Sequence, residues 1–194
     1  MGEIKNIKIE IVKDRVLRRL GYKLENKLDK RVESLIDKEL EEAYSLIDVC
    51  AVYEDLEIEF VKEDEIKLKN AFLIKSKNLA KILKKAEKAT LIAVTIGDKI
   101  EKTTGDATID VIRDSIGSEA VEELAIKVNE LITKRAKLKD YKTLFRFSVG
   151  YGGWDIKDQK KILDLLKPKN IKLGKGYIMD PRKSITALIG WEKE

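Results

Sequence analysis

Histidine is absent from this chain, cysteine occurs once, proline twice, and no apolar run approaches the length of a membrane span. Each shortage removes a class of function. Without histidine there is no Ser-His-Asp triad, no Cys-His pair and no imidazole base, and the chain offers no imidazole ligand to any cofactor metal. The single cysteine, Cys50, rules out a disulfide within the chain, which fits a reducing cytoplasm. Its neighbours Val49, Ala51 and Val52 favour a buried small hydrophobe over a nucleophile. One cysteine with no histidine leaves no transition-metal site of the usual ligand types to expect. The opening Met1-Gly2-Glu3-Ile4-Lys5 lacks the apolar core of a signal peptide, and Asn6 breaks the myristoylation pattern. The expectation is a cytoplasmic protein without a membrane partner.

Charge is abundant but mixed. Forty basic residues, 32 of them lysine, are interspersed with 35 acidic ones, leaving a net charge of +5. A mixed surface with 6% aromatic residues is not the basic stripe of a nucleic-acid binder, so no nucleic-acid partner is expected despite a pI near 9.0. High lysine and glutamate with a single glutamine, Gln159, resembles the surface chemistry of thermophile proteins. At 194 residues and 43% hydrophobic content, with no low-complexity linker or internal repeat, the chain reads as one domain, 1–194.

Periodicity sets the expected elements. Ile4, Ile7, Ile9 and Ile11 predict an N-terminal strand. Asp14 predicts the cap of a short helix ended by Gly21. Leu28, Val32, Leu35, Ile36, Leu40, Ala43 and Ile47 predict an amphipathic helix from about Glu25 to Ile47. Val52 to Val61 alternates as a strand with one wet face, Ile66 to Leu68 returns as its hairpin partner, and Phe72 to Ile74 follows. Ser76 predicts the cap of a helix over 78–86. Ala89 to Ile96 is apolar on both faces, the pattern of a central buried strand. The longest helical pattern spans about Thr108 to Arg135, where Gly117-Ser118 signals either close backbone packing or a kink. A strand over 143–149, a helix over 158–166 stopped by Pro168, and strands over 171–173, 177–179 and 185–191 complete the chain. The expected class is α+β, a mainly antiparallel twisted sheet with one long helix and several shorter ones.

The stretch Arg146-Phe147-Ser148-Val149-Gly150-Tyr151-Gly152-Gly153-Trp154 carries the most chemistry. Glycines let backbone approach a ligand or adopt positive φ. The guanidinium fork fits a carboxylate or phosphate, and the rings offer faces to a planar group or a cation. The same residues also fit a plain strand-turn-helix corner with an exposed arginine.

Arg146-x-x-x-Gly150-Tyr151, followed by Asp158-Gln159-Lys160-Lys161 and by Met179-Asp180-Pro181-Arg182-Lys183-Ser184-Ile185, resembles the activation domain of vitamin B12-dependent methionine synthase. The likeness is to its shorter stand-alone relatives in particular. Val16 to Tyr22, Ala93 to Gly97, and Asp114-Ser115-Ile116-Gly117-Ser118 extend the resemblance over nearly the whole chain. It implies binding of S-adenosylmethionine and its presentation to cobalamin carried by a partner chain, the cobalamin-binding methionine synthase chain. An electron from a flavodoxin-like donor and a methyl group then restore methylcobalamin from cob(II)alamin. By that resemblance Arg146 pairs with the ligand carboxylate, Ser148 and Gly150 supply backbone contacts, and Tyr151 touches the ligand near the cofactor. Glu130 of the long helix is the aligned acidic contact, with Glu122 and Glu123 two turns earlier. Tyr177, Pro181, Arg182, Lys183 and Ser184 are expected to meet cobalamin or the partner, and the Pro181–Ser184 segment to face the glycine turn across one cleft. No residue is assigned a catalytic role and none a metal.

The chain departs from the full-length enzymes in four places. The N-terminal acidic ligand residue has no counterpart. Gly152-Gly153-Trp154-Asp155 replaces a proline-alanine-cysteine-proline run. Gly174-Lys175-Gly176-Tyr177 replaces threonine-glutamate-serine-phenylalanine. A late tyrosine of their C-terminal extension has no equivalent. These departures keep an alternative open: a non-catalytic docking module for a corrinoid protein that does not use S-adenosylmethionine.

Overall fold

In the computed structural model, residues 1–23, 25 and 27–194 are described. The chain opens on β1 (Gly2–Ile4), shorter than the isoleucine spacing predicts; Ile7, Ile9 and Ile11 pack against the core outside any ladder. In α1 (Lys13–Arg19), Asp14 lies in the first turn instead of at the cap, and Gly21 follows the C-cap Leu20 at φ +86°. Next, α2 (Lys30–Leu46) starts later than Glu25, because Asp29 caps it by accepting the Arg31 N–H at 2.8 Å. Asn26, within the predicted first turn, lies outside the described residues.

A meander follows: β2 (Cys50–Lys62), β3 (Glu65–Leu68) and β4 (Leu73–Lys75). Ser76 caps α3 (Lys77–Ile82) through the Leu79 N–H at 3.2 Å. The helix stops before Ala86, which already belongs to β5 (Ala86–Thr95). A single 3-10 turn, Lys99–Glu101, stands where a helix was expected after Gly97. Asp106 then caps α4 (Ala107–Lys137), accepting the N–H groups of Thr108 and Ile109.

Where one strand was predicted over 143–149 there are two, β6 (Tyr141–Thr143) and β7 (Phe147–Ser148). As predicted, α5 (Asp158–Leu166) ends just before Pro168. The pair β8 (Lys172–Leu173) and β9 (Met179–Asp180) forms its own antiparallel ribbon, with Tyr177 in a 3-10 turn between them. Last comes β10 (Ser184–Lys193).

The main sheet runs β4-β3-β2-β5-β10-β6, with β1 beside β2 and β7 beside β10, and every pairing is antiparallel. This is the α+β class the pattern predicts. Both faces of β5 are buried, as its two-sided apolar sequence requires. Ile92, Val94 and Ile96 join Ala187, Ile189 and Trp191 of β10 in a cluster with α1, α2 and α4. Leu91, Ala93 and Leu188 point the other way, into a cluster with α3 and α5. Along α4, Ile116, Ala120, Leu124, Val128 and Ile132 are all fully buried. Each large aliphatic among them contributes about 1.5–3 kcal/mol by leaving water.

Gly117 settles between its two sequence readings. The helix runs unbroken through it, and a Cβ there would lie 3.3 Å from Ile100 Cγ2 and from the Lys183 stem. Close packing, not a kink, places the glycine.

Candidate functional site

The site begins with a β-bulge. Thr143 faces Trp191 across the ladder, and Phe147 faces Leu188. Four steps along one strand therefore match three along the other, so one residue is extra. Strict alternation would send Phe145 and Arg146 to opposite faces of the sheet. The bulge instead brings both to the side of α4, where they border one cavity. Leu144 keeps a ladder bond, its N–H donating to Gly190 O at 2.8 Å, which pins the near end.

The cavity has a volume of about 580 Å³, within the usual range of a small-molecule site. Its helical wall is Glu122, Ile126, Asn129 and Glu130 of α4, which fall on one face at spacings of four, seven and eight. Its other wall is Phe145, Arg146, Phe147, Ser148 and Tyr151. Phe145 is 83% exposed and Tyr151 72% exposed, so two aromatic faces stand at the mouth. Arg146 is held deeper, with its side chain 19% exposed. Its Nη2 donates to Glu122 Oε2 at 2.8 Å, while its Nη1 is buried and has no protein partner among the described residues. The buried Asn129 Oδ1 is likewise unpaired. An unpaired donor and acceptor bordering one cavity are what a polar ligand would satisfy.

The glycine turn is fixed, not floppy. Gly150 takes φ +87°, and a Cβ there would lie 2.9 Å from Ile156 Cδ1. Its N–H donates to Trp154 O at 3.0 Å. Gly152 takes φ +54° beneath the Phe147 ring, and its carbonyl accepts from Ser76 Oγ at 3.2 Å and Asn78 Nδ2 at 3.1 Å. The turn is thereby tied to the start of α3. Trp154 is buried behind it, with its ring centroid 6.4 Å from that of Phe147. Tyr151 projects from this scaffold into solvent.

Of the residues singled out from the sequence, Arg146, Ser148, Tyr151 and Glu130 border the cavity, and Gly150 lies in the turn beside it without lining it. Glu130 faces Lys127 at 3.4 Å, whereas Glu122 is the acid that meets Arg146. The second group lies elsewhere. Tyr177, Pro181, Arg182, Lys183 and Ser184 line no part of this cavity, so the single cleft expected from the sequence does not form in the described residues. Lys183, Arg182 and Ser184 each make polar contacts with the protein. Lys183 Nζ donates to Asp114 Oδ1 at 2.7 Å and Ser118 Oγ at 2.8 Å, and its N–H to Glu101 Oε1 at 2.6 Å. Arg182 Nε reaches Glu101 Oε2 at 3.3 Å, and Ser184 Oγ donates to Pro181 O at 2.7 Å. Pro181 and Ser184 are buried, Tyr177 half-buried, and Arg182 exposed.

The two groups are nonetheless neighbours. Asp114, Ser118 and Glu122 are successive i, i+4 positions of α4, so Lys183 and Arg146 grip adjacent turns, about 6 Å apart along the axis. Phe145, Ile126 and Asn129 escaped the sequence reading. The helical spacing of Ile126 and Asn129 from Glu122 was available as a signal; Phe145 had none, because the bulge that aims it leaves no local trace.

Elsewhere the chemistry is quiet. Burial, followed by the carboxylates of Glu3 and Asp48, pushes the Cys50 thiol pKa up, which keeps it protonated. Among the described residues no group of three His, Cys, Asp or Glu side chains is arranged to hold a metal ion, and no helix is long and apolar enough to cross a membrane.

A bulged antiparallel sheet under one long helix, with an arginine-floored cavity at their junction, defines a class: an α+β domain with a cavity at the helix-sheet seam. No family model matches the chain, and no curated protein matches it. Among solved structures, it is similar to the crystal structure of the MetH reactivation domain bound to AdoHcy, with a TM-score of 0.68, 12% sequence identity, and coverage of 92% of this chain and 74% of that one. The chain has the fold of that reactivation domain.

Proposed function

We propose that this chain is the S-adenosylmethionine-binding reactivation component of a cobalamin-dependent methionine synthase, supporting reductive remethylation of cob(II)alamin to methylcobalamin. The observation that carries the reading is Arg146. Its guanidinium is largely withdrawn from solvent, has a buried nitrogen without a protein partner among the described residues, and floors a cavity of ligand size with two exposed aromatic rings at its mouth. That arrangement suits a ligand with a carboxylate at one end and an adenine at the other. Glu130 borders the same cavity and would favour a cation between those ends. The solved neighbour on this fold holds AdoHcy, which supports the same ligand class.

In this reading the protein contributes position and exclusion of water. Arg146 holds the carboxylate, the backbone around Ser148 and Gly150 sets the ligand's depth, and Tyr151 with Phe145 flanks its outer end. A cobalamin carried by a partner chain would supply the metal chemistry, and a flavodoxin-like donor the electron. The chain acts in the cytoplasm as a subunit of that methyltransferase system. Arg182, exposed, and Tyr177, half-buried, are the residues proposed to face the partner.

A second reading is favoured by one observation: Arg146 is already paired, to Glu122. If that pair is permanent, the fold serves as a docking module that does not use S-adenosylmethionine. Calorimetric titration of S-adenosylmethionine into the wild type and Arg146→Ala distinguishes them. The first reading expects saturable binding that weakens about 10- to 100-fold in the variant, the loss of a charge-assisted hydrogen bond. No heat at millimolar ligand with the wild type would leave the docking module.

A further inference from the structure

Arg146 and Glu122 are each other's only polar side-chain partner among the described residues. The two ends of this contact are held very differently. The backbone of Arg146 lies between ladder-paired residues on both sides of the bulge, so the guanidinium has a fixed root. Glu122 is on the cavity wall with its side chain 42% exposed. The acids on either side of it in sequence order are anchored: Glu119 pairs with Arg19, and Glu123 with Arg15 and Lys127. Those two side chains are 11% and 13% exposed against 42% for Glu122, so rotation of the Glu122 side chain would return its carboxylate to water.

Resting on the ligand reading above, we infer that Glu122 is a built-in competitor for the carboxylate subsite. Its carboxylate occupies the Arg146 fork where a ligand carboxylate would sit, and it must leave for the ligand to enter. The contact is an exchangeable latch, not a permanent bridge. It lowers the affinity for every ligand that uses Arg146. It also keeps a half-buried guanidinium neutralised until a carboxylate able to outcompete the resident one arrives. Nη1, which the single contact to Glu122 leaves unpaired, gives the incoming group its advantage, because a bidentate partner can satisfy both nitrogens.

The latch makes a prediction opposite in sign to that of a ligand-holding acid: removing the Glu122 charge tightens binding. The test is calorimetric titration of two probes, S-adenosylhomocysteine and 5′-methylthioadenosine, into the wild type and Glu122→Gln. The second probe has the nucleoside and thioether but no carboxylate. The latch expects S-adenosylhomocysteine to bind Glu122→Gln about five-fold tighter or more, the difference between a charged and a neutral competitor, with methylthioadenosine unchanged. Equal or weaker binding of S-adenosylhomocysteine by the variant overturns the latch while leaving the ligand reading intact. Equal tightening of both probes also overturns it, since that is a general charge effect. Binding by neither protein at millimolar ligand overturns the ligand reading, and the latch with it. Binding only by Glu122→Gln supports both.

Discussion

Trp154 donates its indole N–H to Asp158 Oδ2 at 2.9 Å, and both side chains are buried. This bond joins the last residue of the glycine turn to the first residue of α5, so the turn and the helix behind it are one unit. Lys161 also reaches Asp158 at 2.7 Å. Replacing Asp158 by Ala leaves a buried donor unsatisfied, which costs about 1–3 kcal/mol. Chemical denaturation of Asp158→Ala should show that loss, with a change in near-ultraviolet circular dichroism from a disturbed Trp154. A variant as stable as the wild type would mean the indole finds another acceptor.

The glycines of the turn separate two costs. Gly152 needs a positive φ and lies where a Cβ would be 2.5 Å from Phe147 Cζ; Gly153 needs a positive φ but has nothing within 4 Å of that position. Gly153→Ala should therefore lose only the backbone preference, about 1–2 kcal/mol. Gly152→Ala should lose that and displace the Phe147 ring, which borders the ligand cavity. Thermal melts of the two variants measure the difference. Equal destabilisation would show that Phe147 moves away without cost.

These two residues also show what the sequence made legible. Three glycines with Tyr151 and Trp154 marked the turn, and a two-sided apolar run marked β5 as central, whereas β10 was expected only as a strand. The 3.6-residue repeat gave α4 nearly whole. The bulge between Thr143 and Phe147 was not legible, because its cause is register against β10, distant in sequence. The same blindness hid Phe145 and left Glu130 and Glu122 as alternatives, since only the packed position of α4 says which acid reaches Arg146. The Pro181–Ser184 segment was recognisable by motif, but its contacts with Glu101, Asp114 and Ser118 depend on how three separate elements meet. Local pattern carries element type; non-local register carries the site.

A pH effect is expected at the start of α4. The hydroxyl of Thr103 at 2.6 Å, then the N–H and hydroxyl of Thr104, both at 2.8 Å, hold the Asp110 carboxyl below its usual pKa. A group whose pKa is depressed on folding adds stability above its unfolded value, and that stability disappears as pH falls through the folded value. The loop at Thr103 and Thr104 should therefore loosen in acid, starting near the ordinary aspartate pKa of about 3.9 and continuing below it. Asp110→Asn should be less stable than the wild type at neutral pH, and the gap should close in this acid range. A gap that stays constant from pH 7 to pH 3 would remove Asp110 from the account.

The central claim is that the Arg146 cavity receives the carboxylate end of an S-adenosyl ligand. A crystal structure of this protein with S-adenosylhomocysteine tests it most directly. The account predicts the ligand carboxylate at about 3 Å from the Arg146 guanidinium, hydrogen-bond distance for a charged pair, with the Glu122 carboxylate displaced and the adenine between Phe145 and Tyr151. Ligand density elsewhere, or density in the cavity with the Arg146–Glu122 contact still closed, would contradict it.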